Sequence, residues 1–477
     1  MKKVLIWATS IILFIELLDT TILYSCVVPI AKNFGVSPES MSLPIITYII
    51  GTCIFIPVAA WLSHKYNKIN IIITTLLIFA LFSLLCGIAP DIYTFSVFRF
   101  FQGVAISISA TIAIIALLLA CPSNEIVKTI GAINIPALIG TALGPFIGAI
   151  FSYYISWRLS FFINVPICLS IVMAIAGFRS KVEFSSNQLN VKPLDYIGII
   201  LLSSSLIMVS TGFEQLSHSL NLKYFLVTLG GIIIGLCYLF IWKLRQKPIN
   251  KMKIDSVLDL NIFKNRDFLF GAVVNVISRS AMCGLPILIS IILQQWFDFS
   301  IIKAGAYLAI IAGAGIVAKF LSPLITQIGI HRSVLLSTIL TAMSILILSQ
   351  LELLLIHDYL WQACFFYGLS MSLLYTSMNS VLYISIKSED IPNASNIGKI
   401  LQQFSIGLGV VFAVGGFRLL SSCNIELILG NEVSVINAYS IICIILFILM
   451  TFNLVIAIPF RIPQTKNFLL EKTPELD

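Results

Sequence analysis

VLIWATSIILFIELLDTTILYSCVVPIA, residues 4–31, is the stretch that decides how the rest of the chain is read. Its 28 residues exceed the roughly 20 helical residues that cross a hydrocarbon core. Only two charges interrupt it, Glu16 and Asp19. Lys2 and Lys3 mark the entry side, and a rise of about 1.5 Å per residue places Glu16 roughly 20 Å deeper. The i, i+3 spacing sets both carboxyls on one helix face. A charge at the centre of a spanning helix costs about 2.5–3.5 kcal/mol on insertion scales, so such residues face a bundle interior or a wet cavity. Both acids are therefore candidate functional groups. Leu23-Tyr24-Ser25-Cys26 faintly imitates a lipoprotein cleavage box, but the two acids and the length of the run argue for a retained helix.

The remainder of the chain repeats this chemistry. Of 477 residues, 59% are hydrophobic and 10% charged, against about 25% charged in soluble domains. Mean hydropathy is +1.03. This composition excludes a string of soluble domains and implies a polytopic membrane protein. Further apolar runs cover Leu43–Leu62, Ile71–Ala89, Tyr93–Ala120, Ile130–Tyr154 and Leu159–Phe178. A polar segment follows, then Tyr196–Phe213 and Tyr224–Trp242, then the hydrophilic stretch Lys243 to Asp267. Six more runs close the chain: Phe268–Leu293, Ala304–Ile328, Val334–Ile356, Tyr359–Ile386, Ile397–Leu420 and Val435–Phe460. The expectation is an all-α protein with 14 transmembrane helices ordered six, two, six. Residues 1–178 would form an N-terminal six-helix bundle, 179–267 a linker with two spans and a cytoplasmic loop, and 268–460 a C-terminal six-helix bundle. Residues 461–477 would form a cytoplasmic tail.

A net charge of +8 could mean nucleic acid, but its distribution fits membrane topology instead. With the N-terminus inside, 21 of the 29 Lys and Arg residues fall in cytoplasmic segments, Lys399 counted among them. Lys32, Arg158, Lys223, Lys303 and Arg418 fall outside, and Arg99, Arg279 and Lys319 lie within spans. The positive-inside rule then puts both termini in the cytoplasm. The ten cysteines show no paired spacing, so neither a disulfide framework nor a metal site is expected. No phosphate-cradling Gly-x-x-x-x-Gly-Lys-Ser/Thr loop occurs, and no nucleophile–base spacing. No cofactor and no enzymatic activity are expected.

Local motifs sharpen this. Leu18-Asp19-Thr20-Thr21-Ile22 lies in the first run, and Trp61-Leu62-Ser63-His64-Lys65-Tyr66-Asn67-Lys68 follows the second. Asn67 is read there as a left-handed turn residue, the best non-Gly choice for that role. Arg99-Phe100-Phe101-Gln102-Gly103 lies in the fourth run, and Gly140, Gly144, Pro145 and Gly148 punctuate the fifth. Ser156-Trp157-Arg158, Phe161 and Asn164-Val165-Pro166 enter the sixth, and Asp195-Tyr196-Ile197-Gly198 opens the seventh. Together these resemble the major facilitator superfamily, specifically its fourteen-helix drug:proton antiporters and multidrug-resistance members. His64 and Asn67 stand where that family carries an acid and a glycine, and Tyr24 where it usually has Asn.

The resemblance implies two six-helix halves rocking around a midplane site. It implies proton coupling through Asp19, with Glu16 and Arg99 as further candidates. Glu16 alternatively pairs with a cation. Gly140, Gly144 and Gly148 form a small-xxx-small ladder that would serve close packing in any membrane. With Pro145 inserted, they read as a conformational pivot. Gln102, Arg279 and Lys319 are assigned to a substrate cavity, the two cations alternatively to pairing with Glu16 and Asp19. His64, Lys65 and Lys68 are assigned to a cytoplasmic gating turn. The expected function is proton-coupled export of small organic molecules by alternating access, of multidrug-efflux type. The alternatives are export of an endogenous acidic metabolite or metal chelator, and a non-transporting sensor or scaffold on the same bundle. The expected partners are a small-molecule substrate, protons and the lipid bilayer, with no nucleic acid. A monomer in the bacterial inner membrane is expected.

Overall fold

In lipid every backbone N–H and C=O must be satisfied within the protein, which drives each apolar run into a helix. The computed structural model describes residues 2–121, 126–177, 196–218, 222–252, 260–321, 327–383, 385–386, 390–422 and 435–458. The first half comprises α1 (Lys2–Phe34), α2 (Ser42–Lys65), α3 (Lys68–Ile88), α4 (Ile92–Leu119), α5 (Ile126–Tyr154), α6 (Leu159–Phe162) and α7 (Asn164–Ala176). Two helices follow, α8 (Tyr196–His218) and α9 (Leu222–Met252). The second half comprises α10 (Arg266–Met282), α11 (Leu285–Gln295), α12 (Ile301–Phe320), α13 (Ile330–Leu348), α14 (Leu351–Ile356) and α15 (Leu360–Tyr383). It ends with α16 (Ile391–Val410), α17 (Gly416–Ser422) and α18 (Val435–Ala457).

Among the described residues, 11 helical stretches are long and apolar enough to cross a membrane, which makes this an all-helical integral membrane protein. Tyr196–Gly212 and Leu222–Tyr238 are shorter apolar helices at the expected linker positions. α15 is as long as a span but carries Gln362, Ser372, Thr376, Asn379 and Ser380, which lower its hydropathy. Those polar residues matter below. The linker segments around the expected boundaries at 179 and 267, including Asp195 and residues 253–259, lie in part outside the described residues.

Several predicted boundaries and conformations differ from what the helices do. The expected sixth span divides at Ile163, ahead of Pro166, and the span from Phe268 divides at Cys283 and Gly284, ahead of Pro286. In each case a proline without an N–H sits in the first turn of the second piece, where that donor has no partner anyway. Asn67 is not left-handed: at φ −63° and ψ 120° it caps α3, its side-chain oxygen accepting from the amides of Ile69 and Asn70. Asn favours that role because its short side chain reaches the orphan amides. Asp91 caps α4 in the same way, and bonds from the Thr94 amide and hydroxyl and the Tyr93 amide hold its exposed carboxyl below the usual carboxylate range.

Lys399 requires a larger correction. α16 begins at Ile391, six residues before the predicted run, so Lys399, which already fell inside that run although it was counted as cytoplasmic, lies well within a helix.

Two apolar cores organise the molecule. One joins α1 to α7 around Ile12, Ile15, Phe79, Phe95 and Phe161, and the other joins α10 to α18 around Met282, Leu288, Tyr367 and Tyr439. The halves meet along α1 with α11, α5 with α12, and α2 with α16. Many of the contacts lie toward the end away from Lys2. Gln294 Nε2 donates to the Ser25 carbonyl at 3.5 Å, and Arg418 donates to Ser40 Oγ at 3.1 Å. The absence of a side chain at Gly305 lets α12 approach Pro145 and Ala149 of α5. The α2–α16 seam runs deeper, with Cys53 Sγ 3.9 Å from the Ile400 carbonyl and Ile56 sharing an apolar cluster with Ile397. Over that seam lies α8, whose Ile199 packs with Ile46, Ile50 and Ile54 of α2 and with Val411 just past α16. α9 is zipped to α8 by Ser205 Oγ donating to the Gly231 carbonyl at 2.8 Å and by close backbone approach at Gly212 and Gly231.

Candidate functional site

Asp19 sits midway along α1, fully buried. Its neighbours Thr20 and Thr21 turn their hydroxyls back onto the helix, donating to the carbonyls of Glu16 and Leu17 at 2.8 Å. That leaves the carboxylate as the polar group aimed into the half. Arg99 of α4, 1% exposed, donates through Nη1 to Asp19 Oδ2 at 2.5 Å. The same Nη1 reaches Gln102 Oε1 at 2.7 Å. Gln102 Nε2 donates to Asp19 Oδ1 at 3.1 Å and to Ser83 Oγ of α3 at 2.8 Å. Asn164 Nδ2, at the start of α7, donates to Asp19 Oδ1 at 2.7 Å. The guanidinium lies 4.2 Å from the Tyr48 ring of α2 and 5.7 Å from the Phe161 ring of α6. Six helices therefore converge on one ion pair.

A dehydrated pair like this persists only with good geometry and further hydrogen bonds, and removing one partner leaves an uncompensated buried charge at about 3–5 kcal/mol. Arg99→Leu is accordingly expected to lower the melting temperature of the purified protein sharply. A Tm within a degree or two of the parent would show that Asp19 carries no charge in this cluster. The network is not fully satisfied. Arg99 Nε and Asn164 Oδ1 are buried without a hydrogen-bond partner among the described residues, an arrangement that costs about 1–3 kcal/mol per group.

Gln102 was expected in the substrate cavity. It is 0% exposed and lies inside this cluster instead, because its face of α4 packs on Ser83 and Asp19.

Glu16 lies one turn from Asp19, partly buried, and its charge is coupled to Lys399 of α16 in the other half. Lys399, counted above as cytoplasmic, is the cation whose charge reaches Glu16. Arg279 and Lys319 reach toward α15. Arg279, 3% exposed, donates through Nε to Asn275 Oδ1 at 2.6 Å and through Nη2 to Asn379 Oδ1 at 3.4 Å. Its guanidinium lies 4.1 Å from the Tyr375 ring. Lys319 Nζ donates to Thr376 Oγ1 at 2.8 Å. Tyr24 of α1 packs against both cores and is coupled to Cys283 and Tyr375 across the boundary between halves.

The glycines of α5 face α1. A methyl group on Gly140 would lie 2.6 Å from the Phe14 carbonyl, and one on Gly148 would lie 2.6 Å from the Ile22 carbonyl. At Gly144 it would meet Thr21 Oγ1, Ile22 N at 3.0 Å and the Leu18 carbonyl at 3.1 Å. These are the residues on either side of Asp19. The Pro145 carbonyl looks the other way, toward Gly305 of α12. At the expected gating turn, Lys65 Nζ lies 4.8 Å from the Trp61 ring and Lys68 is 7% exposed, whereas the His64 side chain is outside the described residues.

Residues 9–410 match the sequence profile of the Major Facilitator Superfamily. The chain belongs to that superfamily. The HsrA protein of Haemophilus influenzae, whose name refers to transport, is 25% identical over 409 residues, covering 85% of this chain and 86% of its own. The MdtD protein of Enterobacter sp. (strain 638), whose name refers to multidrug resistance, is 25% identical over 412 residues, covering 86% of this chain and 84% of its own. Among solved structures, a D-xylose–proton symporter superposes with a TM-score of 0.62 at 12% identity, covering 94% of this chain and 96% of its own. The nucleoside transporter NupG gives 0.60 at 10% identity, covering 96% and 100%. At such identities these two report the fold alone.

Within the superfamily fold, the residues that sequence reading missed are the supports rather than the charges. Asn164 was visible only as a motif letter, and Ser83 carried no signal. Asn275 and Asn379 could have been found as amides deep in apolar runs, where a polar group needs a partner.

Proposed function

We propose that this chain is a proton-coupled exporter of small organic molecules that works by alternating access. The observation that carries the reading is the buried Asp19–Arg99 pair, braced by Gln102 and Asn164. A carboxylate of this kind has two states of very different cost. Ionised, it is matched by Arg99. Protonated, it leaves the guanidinium without its counter-charge and weakens the tie between α1 and α4. Gln102 and Asn164 both donate to Asp19 Oδ1 and hold the carboxyl against Arg99 in the conformation seen here. A proton that arrives at Asp19 therefore pushes the half toward another arrangement.

The close contact of α1 with the glycines of α5 transmits that change, since α5 also meets α12 of the other half. The halves meet toward the end away from Lys2 and hold together as deep as Ile56, as expected of a state closed on that side. Glu16, one turn from Asp19, lies within electrostatic range of Lys399 in the other half, and the two assist coupling. With the charge distribution of the chain, this reading places both termini in the cytoplasm of a bacterial inner-membrane protein.

Flux in proteoliposomes under an imposed pH gradient tests the proposal. Export uphill against a substrate gradient, collapsing when the pH gradient is dissipated, is the expected result. No flux under any gradient overturns it. Glu16→Gln and Lys399→Gln are each expected to displace the pH optimum of export while retaining uphill flux, measured as rate against pH. An unchanged profile in both variants removes this pair from coupling.

A further inference from the structure

We propose that Arg279 and Lys319 form a binding site for the carboxylate of an organic-acid cargo. The site lies on the polar face of α15. The inference rests on the export reading above and names the class of cargo. Arg279 reaches α15 at Asn379 and Lys319 reaches it at Thr376, three residues earlier, so the two cations arrive on one helix face. Their partners on α15 stand within one turn of each other, which brings the two cations near each other. Every hydrogen bond of Arg279 among the described residues goes to a neutral amide oxygen, on Asn275 or Asn379.

In the opposite half Asp19 is matched by Arg99, and the cation whose charge reaches Glu16 is Lys399. Two like charges close together in a poorly solvated setting repel each other, and an incoming anion relieves that repulsion. A guanidinium presents a rigid planar fork that fits a carboxylate with two parallel bonds, and the ammonium adds a mobile third donor. Tyr375 stacks at 4.1 Å on the guanidinium and is itself tied to Cys283 Sγ at 2.8 Å, which fixes the plane of the fork. Tyr24, which packs against both cores and borders the same cluster as Tyr375, brings an aromatic wall from the first half. An aromatic or otherwise apolar body with one carboxylate fits that chemistry.

Matched acid and amide pairs test the assignment. Benzoate with benzamide and salicylate with salicylamide are compared by thermal shift on the purified full-length protein in nanodiscs, and by efflux from proteoliposomes. The acids are expected to stabilise and be exported, and the amides to do so at least tenfold more weakly. Arg279→Gln is expected to erase the acid preference, Arg279→Lys to retain part of it, and Lys319→Gln to reduce it several-fold. Asp19→Asn should keep acid binding but lose uphill export, so failure of the coupling reading and failure of the cargo reading are separable. Equal binding of acids and amides, no binding by either acid, or an undiminished acid preference in a folded Arg279→Gln protein overturns the assignment. Where Arg279→Gln does not fold, Arg279→Lys and Lys319→Gln decide the same question by the same readouts.

Discussion

Asp19→Asn is expected to abolish export against a substrate gradient while leaving substrate exchange down a gradient intact. Asparagine keeps the volume and the acceptor oxygen that Gln102 and Asn164 bond, but it has no titratable proton. The cost is that Arg99 loses its counter-charge in a setting from which water is excluded. The double variant Asp19→Asn, Arg99→Gln removes both charges and should regain stability without regaining uphill transport. The measurement is accumulation in proteoliposomes with and without a pH gradient, alongside counterflow with no gradient. Undiminished uphill flux in Asp19→Asn would remove Asp19 as the coupling group. Loss of counterflow as well would assign it to substrate binding or to folding.

The second large effect is expected from Gly144→Leu. Any side chain at that position meets Ile22 N and the Leu18 carbonyl, which are backbone atoms and cannot rotate away. Overpacking a well-fitted contact costs about 1–3 kcal/mol in ordinary cores. Here it also pushes α1 off α5 beside the buried Asp19–Arg99 pair. Transport should be lost, while ligand binding measured by thermal shift persists. Gly144→Ala should show a weaker form of the same defect. Full transport by Gly144→Leu would return the ladder to passive packing with no part in the cycle.

Much of this molecule could be read in its sequence, and the reason is physical. A backbone that must bond itself inside lipid makes helices out of apolar runs, and a charge in such a run is dear enough to be noticed. Asp19, Arg99 and the glycines of α5 were found that way. What could not be read was which helix lies opposite. Gln102 belongs with Asp19 rather than a cavity because of how α4 is rotated against α3, and that rotation is set by packing across three helices. Lys399 was misplaced because it stands at the very start of its predicted run, directly behind Pro392, Asn393, Ser395 and Asn396, which resemble a loop but form the first turns of α16. α15, read as a span, carries comparable polarity in Gln362, Ser372, Thr376, Asn379 and Ser380, and the face that receives Arg279 and Lys319 is drawn from these positions.

The hairpin of α8 and α9 makes the two flanks of the molecule unequal. On one flank the seam between α2 and α16 is roofed by α8 through Ile199. On the other, α5 and α12 meet with Leu143, Phe146 and Val317 exposed beside them. One flank is therefore double-walled, while on the other only the close fit of α12 on the Pro145 and Ala149 side of α5 separates the interior from the acyl chains. The same helix presents its glycines to α1 on its opposite side, so a parting of the halves along this flank would tug directly on the wall that carries Asp19.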